Sequence, residues 1–183
     1  MAEFAEKLNT LMNVQGQDKK TLLADIITFA TQTGYTVADV DDSRPWGGFV
    51  RFDYRDGDTF VGEFFPGVNP VDARLGNPNA ELSPKILLVE PGQRLSWQMH
   101  HRRAERWAFL TDGAYYKSTD PEVMGEMVLA SPSDVVQFEA GECHRLVGGS
   151  DGVTLVAEIW QHTDPTMYSD EADITRLQDD YKR

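Results

Sequence analysis

One cysteine, Cys143, stands in a chain of 183 residues. No disulfide can form within the chain, and a lone thiol fits a reducing compartment. Long apolar runs are missing as well: no stretch approaches the roughly 20 residues that a bilayer span requires. The opening MAEFAEKLNTLMNV carries acidic residues early and has no apolar h-region. It does not read as a signal peptide, and the expected location is the cytoplasm with no membrane partner. Basic residues are scarce, with 17 Lys and Arg against 30 Asp and Glu, a net charge of −13. That balance argues against nucleic acid or an anionic membrane surface as partner. A small anionic substrate stays open, because local charge decides that question. No internal repeat and no low-complexity tract is present.

What remains fits one well-buried domain. In the first third, Phe4, Leu8, Leu11 and Met12 recur at helical spacing, as do Leu22, Leu23, Ile26, Ile27 and Ala30. Gly16 separates the runs, Asp18 can cap the second and Gly34 can end it. The spacing predicts helices over about 3–13 and 18–33, acting as packing elements or a dimer contact. From Trp46 onward WGGFVRF, TFVGEFF, KILLVE, RLSWQMH, RWAFL, AYYK, EMVLA, DVVQFE and VTLVAEIW read as short strands, divided by RDGD, EPGQ, TDG and GGSDG. Many close strands without intervening helices predict an antiparallel sandwich or barrel. Residues 65–84 read as a loop over the barrel mouth or a mobile lid. The acidic tail SDEADITRLQDDYKR reads as a short helix or an extended arm. The organisation expected is a helical extension over 1–43 and a barrel with its tail over 44–183.

Three of the four histidines fall in two clusters. Gln98 and His100, two apart on SWQMH, share one face of a strand. Glu105 lies five residues beyond His100, so a turn through His101–Ala104 is needed to bring its carboxylate to the same side. His144 comes from FEAGECHRL, where Gly141 supplies a tight hairpin. Two imidazoles, a carboxylate and an amide oxygen make a mixed N/O shell for one divalent transition metal, with Zn, Mn, Fe, Co and Ni unranked. Taken singly, each is as readily a surface or hydrogen-bonded core residue. Trp46, Trp97 and Trp107 read as barrel filling, Cys143 as a buried hairpin residue, and His162 as a surface residue.

These spacings resemble the paired motifs of the cupin superfamily, G-x5-H-x-H-x3,4-E-x6-G and G-x5-P-x-G-x2-H-x3-N. Gly92, Gln98, His100 and Glu105 follow the first, with Gln98 in place of a histidine and Gly113 one residue late. Gly141 and His144 follow the second, where Ser133, Glu139 and Gly148 replace its Gly, Pro and Asn. The combination of Arg44-Pro45-Trp46-Gly47, EPGQRLSWQMHHRRAERW, Ala140-Gly141 with His144-Arg145-Leu146, and DEADITRLQDDYKR is similar to one branch, the type II phosphomannose isomerases. That branch includes the C-terminal domain of mannose-1-phosphate guanylyltransferases and small stand-alone sugar-phosphate isomerases. The resemblance spans about 44–183 and leaves the helical N-terminus and the 65–84 insertion outside it.

The resemblance implies a mainly β fold, a double-stranded β-helix or jelly-roll barrel, carrying the N-terminal pair of helices. It implies a metal-dependent aldose–ketose isomerase acting on a sugar or sugar phosphate such as mannose 6-phosphate. A metal on Gln98, His100, Glu105 and His144 would polarise the carbonyl while a base moves a proton between C1 and C2. Lys85 and Glu105 are the catalytic candidates. Arg44, Lys85 and Arg145 are the substrate-binding candidates, although Arg145 follows a ligand directly and on a regular strand points the other way. The run His101-Arg102-Arg103 either attracts an anionic substrate or pairs with the acidic tail. A homodimer is expected by family analogy. Two other functions fit the same residues: a non-haem Fe(II) oxygenase built on His100, Glu105 and His144, and a non-catalytic sugar-binding cupin.

Overall fold

The computed structural model describes residues 3–11 and 17–181; Met12 and Gly16, invoked above for the first helix and the break after it, lie outside this range. In chain order the elements are α1 (Glu3–Leu11), α2 (Lys19–Gln32), β1 (Val37–Asp41), β2 (Gly47–Phe52), α3 (Gly57–Phe64), α4 (Pro70–Ala73), β3 (Lys85–Val89), β4 (Trp97–Met99), β5 (Arg103–Phe109), β6 (Gly113–Ser118), β7 (Val128–Ala130), β8 (Val135–Phe138), β9 (Cys143–Gly148), β10 (Thr154–His162) and β11 (Thr175–Gln178). Among the described residues no helix is long and apolar enough to cross a membrane.

Two antiparallel sheets face each other. One has the order β1-β2-β3-β10-β5-β8 and the other β11-β4-β9-β6-β7, so the chain is mainly β and forms the expected cupin barrel. Trp107, Phe109, Phe138 and Val156 from the first sheet meet Ala130 and Leu146 from the second in a common interior. Trp46 lies in that interior, and Trp97 is buried with its indole N–H on the Pro121 carbonyl at 3.0 Å. The six-stranded sheet is covered on its other face too. There Val50, Phe52, Ile86, Leu88, Ala157 and Ile159 pack against Phe4 and Leu8 of α1, Leu22 and Ile26 of α2, and Phe60 and Phe64 of α3. Burial on both faces explains why β3 reads KILLV without alternation, all five residues being buried. The two N-terminal helices are thus packing elements of this outer core. Asp18 caps α2 by accepting from the backbone N–H of Lys20 and Thr21.

Three local readings of the sequence are corrected. TFVGEFF, expected as a strand, lies almost wholly in the helix α3; Gly57, Phe60, Val61 and Phe64 are its buried residues, an i, i+3, i+4, i+7 stripe. Residues 65–84 do not roof the barrel. The segment contains α4, sends Phe65, Ala73 and Leu82 into the outer core, and is tied by Arg74, which pairs with Asp58 and donates to the Ala80 carbonyl at 3.0 Å. His162 is buried, not superficial: Nε2 meets the Glu81 carbonyl at 2.8 Å, and Nδ1 accepts from the Ser169 N–H at 3.2 Å. The acidic tail takes the extended alternative, with β11 pairing along β4. Strand β1, mostly exposed at the sheet edge, had no counterpart in the sequence reading.

Candidate functional site

Strand β4 ends at Met99, and the chain bends through His100–Arg102 before β5 begins at Arg103. A turn before Glu105 was expected over His101–Ala104; the bend is shorter, and Arg103 and Ala104 already belong to β5. The bend is pinned from the C-terminal segment by Asp173, whose carboxylate accepts from the N–H groups of His101 and Arg102, each at 3.0 Å, and from the Ser169 hydroxyl at 2.7 Å. Burial would raise the Asp173 pKa, but these donors and the Arg103 charge hold it below its ordinary value. Across the sheet Gln98 pairs in register with His144. His144 follows the Ala140–Gly141 turn, where Gly141 adopts φ +81° and its N–H reaches the His100 carbonyl at 2.6 Å.

The outcome is a buried His100–Glu105–His144 group whose candidate ligand atoms all lie within 4.8 Å of one another. His100 Nε2 is 3.0 Å from Glu105 Oε1, and His144 Nε2 is 3.3 Å from Glu105 Oε2. The other nitrogen of each ring meets a backbone carbonyl: His100 Nδ1 to Asp173 at 2.5 Å and His144 Nδ1 to Glu142 at 3.1 Å. A carbonyl can only accept, so both Nδ1 atoms carry a proton and both Nε2 atoms face Glu105, where they would serve as the ligand atoms of a bound ion. This is how metal-ligating histidines are oriented. Glu105 Oε2 and His144 Nε2 are buried with no hydrogen-bond partner, an arrangement that is costly unless something else occupies the space between them. The donor set therefore suits a divalent transition metal.

The electrostatics agree. Burial alone would raise the Glu105 pKa, but His100 and Arg103 hold it well below the usual carboxylate range. Burial pushes the His144 pKa down, which keeps the imidazole neutral. His144 is clamped between Phe138, stacked at 4.5 Å between centroids, and Trp107, edge-on at 5.3 Å. Gln98 lines the adjoining cavity, its Oε1 accepting from the Ser96 hydroxyl at 2.7 Å.

That cavity, of about 140 Å³, is lined by His100, Glu105, Gln98, Lys85, Glu158 and Arg44 among others, with Glu171 and Arg176 from the C-terminal segment. Lys85 is buried and not a strand-edge lysine in water; it lies 3.5 Å from Glu158 and 3.2 Å from Glu171, with its ammonium 4.5 Å from the Trp160 ring centre. Arg44 reaches the cavity while paired with Asp41 at 2.6 Å. Gly47, two residues beyond Pro45, passes so near β3 that a Cβ there would sit 1.9 Å from the Leu88 carbonyl oxygen. The glycine thus allows the close approach that sets Arg44 and Trp46 beside the site. Arg145 is not brought to the cavity. Its guanidinium turns to the C-terminal segment, 3.2 Å from the Gln178 carbonyl and 3.5 Å from Asp180, as the alternation of β9 requires. Of the basic run, Arg102 pairs with Asp170 and Asp173, so it serves the acidic tail.

Two roles at the site went unread in the sequence. Arg103, taken there only as part of the basic run, is buried, donates to Glu105 at 3.0 Å and stacks 3.9 Å from the Trp160 ring centre. Glu158 is buried in β10, accepts from Trp107 Nε1 at 3.0 Å, and has its pKa pushed up to about 7 by burial and the nearby Glu105 charge, against the pull of Lys85 and Arg103. Its signal was available: it is the one acidic residue in the strand TLVAEIWQH.

Comparison with known proteins agrees with this geometry. Residues 77–179 match the family described as mannose-6-phosphate isomerase C-terminal. Over 99 residues the chain is 31% identical to the alginate biosynthesis protein AlgA of Pseudomonas aeruginosa and to the xanthan biosynthesis protein XanB of Xanthomonas campestris, and 29% to the mannose-1-phosphate guanylyltransferase ManC of Salmonella typhimurium. Each match takes in 54% of this chain but only 19% of the relative. Among solved structures, the capsular polysaccharide assembling protein CapF of Staphylococcus aureus superimposes with a TM-score of 0.51 over 95% of this chain and 45% of its own, at 14% identity. The oxalate decarboxylase of Lactobacillus farciminis gives 0.50 over 76% of this chain and 34% of its own, at 17%. These two likenesses speak for the fold alone. With a matched region spanning more than half of its length and reaching from just after α4 through β11, the chain belongs to the mannose-6-phosphate isomerase C-terminal family and carries the cupin fold.

Proposed function

We propose that the protein is a metal-dependent aldose–ketose isomerase acting on a sugar or sugar phosphate resembling mannose 6-phosphate. The observation that carries this reading is the His100–Glu105–His144 group, with both imidazoles held as Nε2 donors, opening on a cavity that also holds a buried lysine. His100, Glu105 and His144, with Gln98 as the amide ligand, would hold the ion; when bound, it would supply polarisation of the sugar carbonyl and acidification of the neighbouring C–H. Lys85 is placed to exchange a proton with the sugar oxygens, its ammonium steadied by Trp160 and shared between Glu158 and Glu171. Arg44 and Arg176 give the cavity a positive side suited to a phosphate or a row of hydroxyls. Arg103 fixes the Glu105 carboxylate by a charge-assisted hydrogen bond.

The test is an anaerobic isomerisation screen of free and phosphorylated pentoses, hexoses and heptoses, with Zn, Mn, Fe, Co and Ni supplied in turn. The expected result is aldose–ketose conversion that is lost with a chelator and regained with metal. Sugar binding without conversion across the whole panel would make the protein a binding cupin and end the isomerase reading. Turnover only in the presence of oxygen would favour an oxygenase.

A further inference from the structure

We propose that Glu158 is the general base that carries the proton between C1 and C2 of the sugar. This assignment rests on the isomerase reading and goes beyond it by naming the group that touches the reacting carbon. The registers of the six-stranded sheet set Glu158 directly opposite Lys85 of β3 on one side and Trp107 of β5 on the other. Directly opposed residues of an antiparallel pair project from the same face, and here that face is the barrel interior. Glu158, Lys85 and Glu105 all line the cavity. The Trp107 indole donates to Glu158 Oε2 at 3.0 Å, and Lys85 Nζ stands 3.5 Å from Oε1. The carboxylate is thus oriented by two fixed partners and buried to 6% exposure.

Elimination among the acidic and basic groups of the cavity leads to the same residue. Glu105 is engaged by His100, His144 and Arg103. Glu171 has a side chain 63% exposed and is shared between Lys85 and the Ser83 hydroxyl, so solvent competes for it. Lys85 as an ammonium can give a proton to oxygen but cannot take one from carbon. A purely structural Lys85–Glu158 pair would be a poor stabiliser, because burying two charges costs about as much as their attraction returns. The groups facing Glu158 are Lys85 from β3, Arg103 and Glu105 from β5, and His100 from the bend before it. With burial, these neighbours set the proton affinity of the group that has to take and return a proton.

The step balances without a co-reactant. The C2–H bond breaks, its proton passes to Glu158, and its electron pair becomes the C1=C2 bond as O1 takes a proton from Lys85. In the second half O2–H returns a proton to Lys85 and its electron pair forms C2=O. The C1=C2 pair then takes the proton from Glu158 at C1. Both side chains finish as they began.

The experiment uses the metal-loaded full chain with the aldose that the wild type turns over best, run in water and in D2O. E158Q should keep its metal by elemental analysis while kcat falls by about 10²–10⁴-fold, and deuterium should no longer enter C2 of the recovered aldose. E158D keeps the charge but draws it back by one methylene; its kcat should fall by about ten-fold or more with KM within about three-fold of wild type, and it decides the matter if E158Q does not fold. An E158Q protein that retains more than about a tenth of wild-type kcat, or that loses its metal, overturns the assignment, as does an unaltered kcat in E158D. A wild type inactive on every sugar overturns the isomerase reading and this one together; an active wild type with a normal E158Q overturns this one alone.

Discussion

Replacing Asp173 with alanine should unsettle both the fold and the metal site, although no part of its side chain touches a candidate ligand. The carboxylate holds two backbone N–H groups and one hydroxyl, and it lies 3.7 and 3.8 Å from the Arg102 and Arg103 guanidiniums. A hydrogen bond to a charged group contributes about 1.5–3 kcal/mol net, and donors left orphaned in a buried place add to the loss. Three such bonds sharing one acceptor are not additive, so a loss of roughly 3–6 kcal/mol is expected. For a chain of this size that lowers Tm by roughly 6–24 °C. Because the Asp173 pKa is depressed below 3.8, its contribution is present above that value and fades as pH falls through the folded pKa; the gap between wild type and variant should therefore narrow in acid. The Asp173 carbonyl also orients His100 Nδ1, so metal affinity should weaken about 10–100-fold as the ring loses its fixed direction. Ser169→Ala is the milder contrast, removing one donor to Asp173 and one of the acceptors of Arg103, at about 1–3 kcal/mol. Thermal unfolding and a metal titration read the two effects. A D173A protein melting within about 2 °C of wild type with unchanged metal affinity would refute the role given to this carboxylate.

Three further outcomes follow from the same geometry. His100→Ala and His144→Ala should each bring bound metal, measured by elemental analysis on the purified protein, down to background; full retention in both would defeat the ligand assignment. Glu158 has a pKa raised to about 7 from 4.5, so between those values the folded state holds a proton that the unfolded state has released, and stability must fall as pH rises. The Tm of the metal-free wild type relative to E158Q should accordingly decline from about pH 4.5 to about pH 7, and a constant difference across that range would contradict the shift. Phe60→Ala, which empties a fully buried ring position 4.5 Å from Phe64 and 5.7 Å from Phe52 between centroids, should cost about 3–5 kcal/mol by thermal unfolding; a loss below about 1 kcal/mol would mean that the outer core is not close-packed there.

Most of the barrel was legible because its strands carry their signal locally. KILLVE, RWAFL and VTLVAEIW are apolar runs bounded by turn residues, and the Gln98–His100 spacing alone implied a shared face. The turn before Glu105 could be deduced from parity, but not what holds it: Asp173 lies 71 to 72 residues away from the N–H groups it accepts, a distance over which local pattern says nothing. TFVGEFF misled because Phe60 and Phe64, four residues apart, satisfy alternation as well as a helical stripe, and only the apolar sheet beneath selected the stripe. Strand β1 was silent because an edge strand with both faces wet has no apolar period to display. His162 was misplaced since residues 163–169 fold back over it, a contact that strand-end position does not announce. Glu158 was overlooked for the opposite reason. A single carboxylate in an apolar strand is easily assigned to the wet face, yet counting in twos from Trp160 puts it inside.

The six-stranded sheet has no wet face over its central strands, and this alters what counts as a minimal folding unit. The family-matched stretch opens at residue 77, after α1, α2, α3 and the two strands that precede β3. A protein trimmed to that stretch would retain every candidate metal ligand, yet it would bare Ile86, Leu88, Ala157 and Ile159 to water and leave β3 as a raw edge. Such an apolar edge strand recruits neighbours instead of staying monomeric. The segment outside the family match therefore covers the apolar face of the part that carries the candidate site, and engineering of that part has to carry it along.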